Sequence, residues 1–356
     1  MFSFPGVGSS KLRLLLSVSV IGFAYAAVAQ VPESCPYFQP VSNVAAPAIY
    51  SDNRGSIVDA QALAKRTASG KPVNDFLSYL SFSIDGPPPW NKFTGLSLQC
   101  ANSLLEEWAK DDAMATTVDD HGSFSSQGAI DRAGYTRGFV NIAIKLQTAG
   151  AKLGPHVIPW LKKRVEERIQ VDRAYIAHGQ RGGNLLYEDG ATAAGLALLT
   201  QDENAFKFQG EVWAYFLQQI NPDGSLASEL ARGKRALVYH NRALSMLMIL
   251  RAQRRALGIP EKAVDHAKIK ALADYVGHSM CFPDELATKV GVDRIEPMDG
   301  DYAFRASETF GSDLLNADWQ RCGRRLSGFA FIDATGGGDM RKMHQAIIQL
   351  GTQSRR

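Results

Sequence analysis

From Leu98 to Met280 apolar residues recur at helical intervals, and that periodicity limits the chain to an all-α fold. Leu98, Ala101, Leu105 and Trp108 form one stripe, with Glu106, Glu107 and Lys110 on the other side. Further helices are predicted at about 129–146, 157–174, 203–220, 233–257, 261–280 and 340–350. An earlier one, capped by Ser56, carries Val58, Ala62 and Leu63. No stretch shows the period-two alternation of a strand. The run 190–199 is mostly small residues, which let helices approach closely, so it is expected near the centre. Asp85-Gly86-Pro87-Pro88-Pro89 is a break, 119–128 and 179–184 read as loops, and 290–338 is irregular. Successive helices joined by loops fit an ordinary bundle and a helical toroid alike.

The N-terminus reads as an export signal. Lys11 and Arg13 precede an apolar run from Leu14 to Phe23, and Ala27-Val28-Ala29 supplies small residues for cleavage. The run is too short to span a bilayer. Residues 1–29 are therefore assigned as a leader and 30–356 as one domain, beginning with an extended arm at 32–50. Removing the two leader cations from a net charge of +3 leaves about +1, which is no nucleic-acid footprint. The four cysteines, Cys35, Cys100, Cys281 and Cys322, lie in the exported part and suggest disulfides. Four cysteines allow three pairings. None has the CxxC spacing of a zinc site, and no metal or other cofactor is expected.

The chemistry-bearing stretch is 229–241, which follows the turn signal Asn221-Pro222-Asp223-Gly224 and runs into Ala243, Leu244, Met246 and Leu247. Read as one helix, it places Arg232, Arg235 and Tyr239 at i, i+3 and i+7 on a single face. Arginine clamps carboxylates, and a phenol beside such cations exchanges its proton more readily than in water. Those are the parts needed to bind an acidic sugar and move a proton on it. A solvated basic face with a tyrosine at its edge would carry the same spacing.

This stretch resembles the Glu-Leu-x-Arg-x-x-Arg-Ala-Leu-x-Tyr-His-Asn signature of the alginate lyases of polysaccharide lyase family 5, the periplasmic mannuronate lyases. Residues 100–113 resemble that family's cysteine-bearing helix. The resemblance implies an incomplete (α/α) toroid with a deep cleft, β-elimination at uronic acids, and an anionic polysaccharide as partner. It implies Arg232 and Tyr239 as catalytic residues, and Asn184 as the third. The family's next residue, a histidine, is replaced by Leu185, and its tryptophan by Glu188. Tyr50 falls near a lid-loop tyrosine, Tyr135 near a pocket aromatic, and His240 follows Tyr239 as in the family. Arg235, Tyr187 and Glu188 join them as substrate contacts, with Arg305 and Trp319 as further candidates. The resemblance also implies a Cys35–Cys100 pair, which leaves Cys281 with Cys322, and a periplasmic location, with secretion as the alternative. The chain is expected to act as a monomer without membrane or nucleic-acid partners.

Elimination requires a neutralised C5 carboxylate, a base for the C5 proton and an acid for O4. Asn184 and Arg232 supply the first, and Tyr239 both of the others if C5–H and O4 lie on the same side of the ring. Leu185 then restricts the chain to syn substrates, polymannuronate- or glucuronan-like. Two other classes fit the altered residues: a polysaccharide-binding protein of an exopolysaccharide export system, and a glycoside hydrolase using Glu188 or Asp189 with a second carboxylate such as Asp119, Asp120 or Glu229.

Overall fold

The computed structural model describes residues 35–52, 57–86, 97–119, 121–122, 124–178, 183–298, 302–323, 332–333 and 335–353. The expected leader, Ser56, the prolines 87–89, Asp120, residues 179–182 and the Arg305 side chain lie outside the described residues.

The first helix starts at Asp59, three residues later than the sequence suggests, because this carboxylate accepts the N–H groups of Gln61 and Ala62. It caps α1 (Ala60–Asp85), while Val58 bridges back to Tyr50. Ser97 caps α2 (Leu98–Lys110) and Ser125 caps α3 (Ser126–Thr148). There follow α4 (Val157–Ala177), α5 (Asn184–Thr200) and α6 (Glu203–Gln219). A short α7 (Ala227–Leu230) and a 3-10 turn, Gly233–Arg235, precede α8 (Ala236–Ala256). The chain continues through α9 (Ala263–Cys281), α10 (Pro283–Val290), α11 (Tyr302–Gly311) and α12 (Met340–Gln353).

The stretch 229–241 is therefore not one helix. Gly233 takes φ +58, in the left-handed region, and breaks the run between α7 and α8. Among the described residues there are also four strands of two or three residues. β1 (Asn43–Ala45) pairs in parallel with β2 (Thr116–Val118), and β3 (Ile332–Asp333) pairs antiparallel with β4 (Gly338–Asp339). Strands this short carry no alternation to read.

Helices α1, α3, α5, α8 and α11 pack side by side in chain order, and α2, α4, α6 and α9 pack outside them. This alternation is an (α/α) toroid, and α12 packs against α3, α5, α8 and α11. The small-residue run lies at the centre as expected: residues 190–198 are all buried. A Cβ on Gly190 would lie 2.6 Å from Val212, and one on Gly195 2.8 Å from Val140. The arm is held by a disulfide from Cys35 to Cys100 in α2 and by Phe38, whose ring packs 4.7 Å from Tyr79. Cys281 and Cys322 form the second disulfide, so both implied pairings are present.

The turn before Leu226 depends on glycine. Gly224 has φ +84, and a Cβ there would lie 2.1 Å from the Ala271 carbonyl oxygen. Gly224→Ala is expected to lower stability by about 2–3 kcal/mol in urea denaturation, through backbone strain and overpacking. Gly210→Ala on α6, where a Cβ meets open space, should instead raise it by up to about 1 kcal/mol.

Candidate active site

Four inner helices, α1, α3, α5 and α8, wall a cleft of about 580 Å³. On α8, Tyr239 and Arg242 are three residues apart and share a face that lines it. Arg232 reaches the same place from before the 3-10 turn, its guanidinium 4.6 Å from the centre of the Tyr239 ring. The left-handed Gly233 thus gathers Arg232, Arg235 and Tyr239 by a route other than helical spacing.

The arm supplies a second phenol. The Tyr50 and Tyr239 hydroxyls are 2.6 Å apart, and Arg235 Nη1 donates to Tyr50 at 2.8 Å and to Tyr239 at 3.4 Å. Burial alone would raise the Tyr50 pKa. The hydrogen bond to Tyr239 and the charges of Arg235 and Arg242 outweigh it and bring the phenol below its ordinary value. Tyr239 is pushed up to about 12, first by burial and then by Tyr50. The two titrate as one system: the pair gives up a first proton more readily than a free phenol, and a second much less readily. The first charge settles on Tyr50, which lies nearer Arg235.

On α5, Asn184 is the first helical residue rather than the end of a loop, and its side chain lines the cleft. Gly183 gives that helix no side-chain cap. The buried Glu229 carboxylate accepts the Asn184 backbone N–H instead, while lying 3.9 Å from Arg232. One carboxylate therefore ties Asn184 and Arg232 together. Burial raises the Glu229 pKa, with Arg232, Ser228 and the Asn184 amide opposing it.

One turn further along α5, Glu188 also faces the cleft and pairs with Arg137 of α3 at 2.9 Å. Arg137 donates in addition to the carbonyl and the hydroxyl of Thr335, each at 3.1 Å. Asp131 of α3 receives Arg66 Nε at 2.8 Å and Gln127 at 3.0 Å. Tyr135 lines the cleft, and burial and then the Asp131 charge push its phenol up to about 12, so it stays neutral.

Several sequence candidates fall elsewhere. Tyr187 is buried and stacks on Phe216 with ring centres 3.5 Å apart, facing α6 instead of the cleft. Once 184–188 is helical, Asn184, Leu185 and Glu188 share a face from which Tyr187 turns away. His240 is fully buried, accepting the Leu226 N–H through Nε2 at 3.0 Å and donating from Nδ1 to the Ala236 carbonyl at 2.8 Å. It braces the turn before α7 and does not reach the cleft. Trp319 is buried against α9. Asp189 is ion-paired with Arg168 at 2.6 Å, and neither it nor Glu229 lines the cleft. Arg66, Asp131, Arg137 and Arg242 escaped the sequence reading. Arg242 alone had a signal there, three residues after Tyr239; the others are assembled by tertiary packing.

Burial brings the His240 pKa down to about 4 from an unfolded value near 6.5. The unfolded chain thus binds the extra proton between those values, so this stabilisation is complete above pH 6.5 and is lost as pH falls toward 4. Melting temperature followed from pH 7 to 4 should fall less steeply in His240→Gln than in the parent chain.

The alginate lyase family model matches residues 92–285 of this chain. A polysaccharide lyase of Stenotrophomonas maltophilia (strain K279a) is 25% identical over 261 residues, covering 70% of this chain and 71% of that one. An alginate lyase of Azotobacter chroococcum mcd 1 is 27% identical, covering 58% of this chain and 56% of its own length. One from Cobetia marina is 24% identical, covering 60% and 55%. The match thus spans a little over half the length of these two relatives. A variant of alginate lyase A1-III complexed with tetrasaccharide superposes with a TM-score of 0.61 at 18% identity, covering 88% of this chain and 85% of that one. Alginate lyase A1-III from Sphingomonas species A1 gives 0.57 at 17%, over 88% and 86%. These structures share the helical toroid described above. With more than half of its length matched by the family model, the chain belongs to the alginate lyase family, whose members named above are polysaccharide lyases.

Proposed function

We propose that this chain cleaves a uronic-acid polymer by syn β-elimination, with Tyr239 moving the proton and Asn184 and Arg232 neutralising the C5 carboxylate. The observation that carries this reading is the Tyr50–Tyr239 pair held by Arg235, whose two phenols line the same cleft as Asn184 and Arg232. Loss of one proton from the phenol pair leaves the charge on Tyr50, and passage of the Tyr239 proton to Tyr50 across their 2.6 Å hydrogen bond makes Tyr239 the base beside the substrate. That base takes the C5 proton, the C4–C5 double bond forms, and the C4–O4 bond breaks. O4 then receives the proton from the tyrosine, and the pair returns to its starting state. Positive charge from Arg232, with the Asn184 amide, favours the carbanion-like transition state at C5.

A single proton carrier serves both steps when C5–H and O4 lie on one side of the ring, as in mannuronate and glucuronate. Leu185 occupies the position where a base for the opposite face would stand, and the described residues lining the cleft include no histidine. Two disulfides and the leader-like N-terminus support export to the periplasm or beyond, and among the described residues no helix is long and apolar enough to cross a membrane.

Tyr239→Phe should lower kcat by about 10²- to 10⁴-fold, measured from the ultraviolet absorbance of the unsaturated product. Full activity in that variant would refute the mechanism. Polyguluronate should be turned over far more slowly than polymannuronate, and equal rates would rule out the syn assignment. Tyr50→Phe removes the phenol that ionises first and leaves Tyr239 to ionise against its own burial, so the rise of kcat with pH should move to higher pH.

A further inference from the structure

The cleft is mixed in charge. Arg66, Arg137, Arg232 and Arg242 line it together with Asp52, Asp131 and Glu188. Arg66 is matched by Asp131 and Arg137 by Glu188. Positive charge gathers instead around the reacting phenol, where Arg232, Arg235 and Arg242 lie 4.6, 5.1 and 5.6 Å from the Tyr239 ring centre.

Glu188 sits one helical turn from Asn184 on the same face of α5, a rise of about 6 Å and the scale of one sugar ring. Its partner Arg137 is only 5% exposed and is held by Thr335, so the carboxylate, at 17% exposure, is the more accessible of the two to a ligand in the cleft. A carboxylate fixed in this way accepts hydrogen bonds from sugar hydroxyls and repels a second carboxylate.

We propose that Glu188, oriented by Arg137, reads an uncharged sugar next to the reacting uronate. The substrate class is then a polymer in which uronates are flanked by neutral sugars, in preference to a homopolyuronate. This rests on the lyase reading above and adds to it the identity of the neighbouring residue.

The test compares hyaluronan, in which glucuronate alternates with N-acetylglucosamine, with glucuronan and polymannuronate, by ultraviolet absorbance. The expected result is a kcat/KM at least about ten-fold higher on the alternating polymer, the effect of disfavouring one like-charge contact. Glu188→Gln keeps the hydroxyl acceptor without the charge, so it should raise kcat/KM on both homopolymers and narrow the ratio. A parent chain that prefers a homopolymer, or a Glu188→Gln variant slowed equally on all three, would overturn the proposal. Calorimetric binding of oligosaccharides from the same polymers to Tyr239→Phe reads the preference without turnover. Tighter binding of the alternating oligosaccharide supports it, and tighter binding of a homopolymer overturns it. That measurement and the parent ratio decide the matter if Glu188→Gln does not fold. Absence of unsaturated product from every polymer strikes at the lyase reading, while the binding comparison still judges Glu188.

Discussion

The close approach of α5 to its neighbours is the constraint on which the rest of the toroid depends. With hydrogen in place of a methyl at Gly190 and Gly195, α5 packs against Val212 of α6 and Val140 of α3 without a clash. Close packing of this kind leaves no room for drift, because an interior at crystal-like density shifts only as a unit. The N-terminal turn of α5 is consequently a rigid mount. Asn184 and Glu188 stand on it, facing the helices that bring Arg137 and Tyr239. A larger residue at either glycine would push those walls apart and change the cleft without touching a cleft residue.

Charge in this cleft is organised through pairs. Arg66–Asp131 and Arg137–Glu188 shape the walls, while Glu229 holds the Asn184 amide and approaches Arg232 from beneath. Buried or half-buried pairs of this kind contribute little net stability, because desolvation offsets the attraction. What they give is position. Each arginine has a single preferred geometry before any ligand arrives, so less rotamer freedom is lost on binding. The phenol pair obeys the same logic, with Arg235 deciding which oxygen carries the first charge.

Helical periodicity made the all-α class legible, and the small residues of 190–199 marked the centre correctly. Boundaries were less legible where a cap competed with its neighbours: Asp59 rather than Ser56 precedes α1, because its carboxylate reaches two free amides. The break at Gly233 was hidden because the spacing of Arg232, Arg235 and Tyr239 also suits a continuous helix. In the site, Arg232 and Tyr239 stood out through their motif, and Tyr50 through resemblance alone. Tyr187 and His240 were misplaced because side-chain direction follows from helix phase, which a segment read as a loop does not provide. The Arg66–Asp131 and Arg137–Glu188 pairs join residues 65 and 51 positions apart, and no local pattern announces such a meeting.

One of the two phenols does not belong to the toroid at all. Tyr50 rides on the arm, whose far end is closed covalently at Cys100 and whose middle is held by the β1–β2 pairing. Disulfides of this kind form and persist in oxidising compartments. A copy retained in a reducing compartment would keep its arm in place through non-covalent contacts: the β1–β2 pairing, the packing of Phe38, and hydrogen bonds from Trp108 to the Phe38 carbonyl and from Ser125 to the Ala46 carbonyl. Oxidation of the two thiols and the placement of Tyr50 beside Tyr239 therefore act on one and the same segment of chain, so a change at Cys35 can be felt at a phenol fifteen residues away.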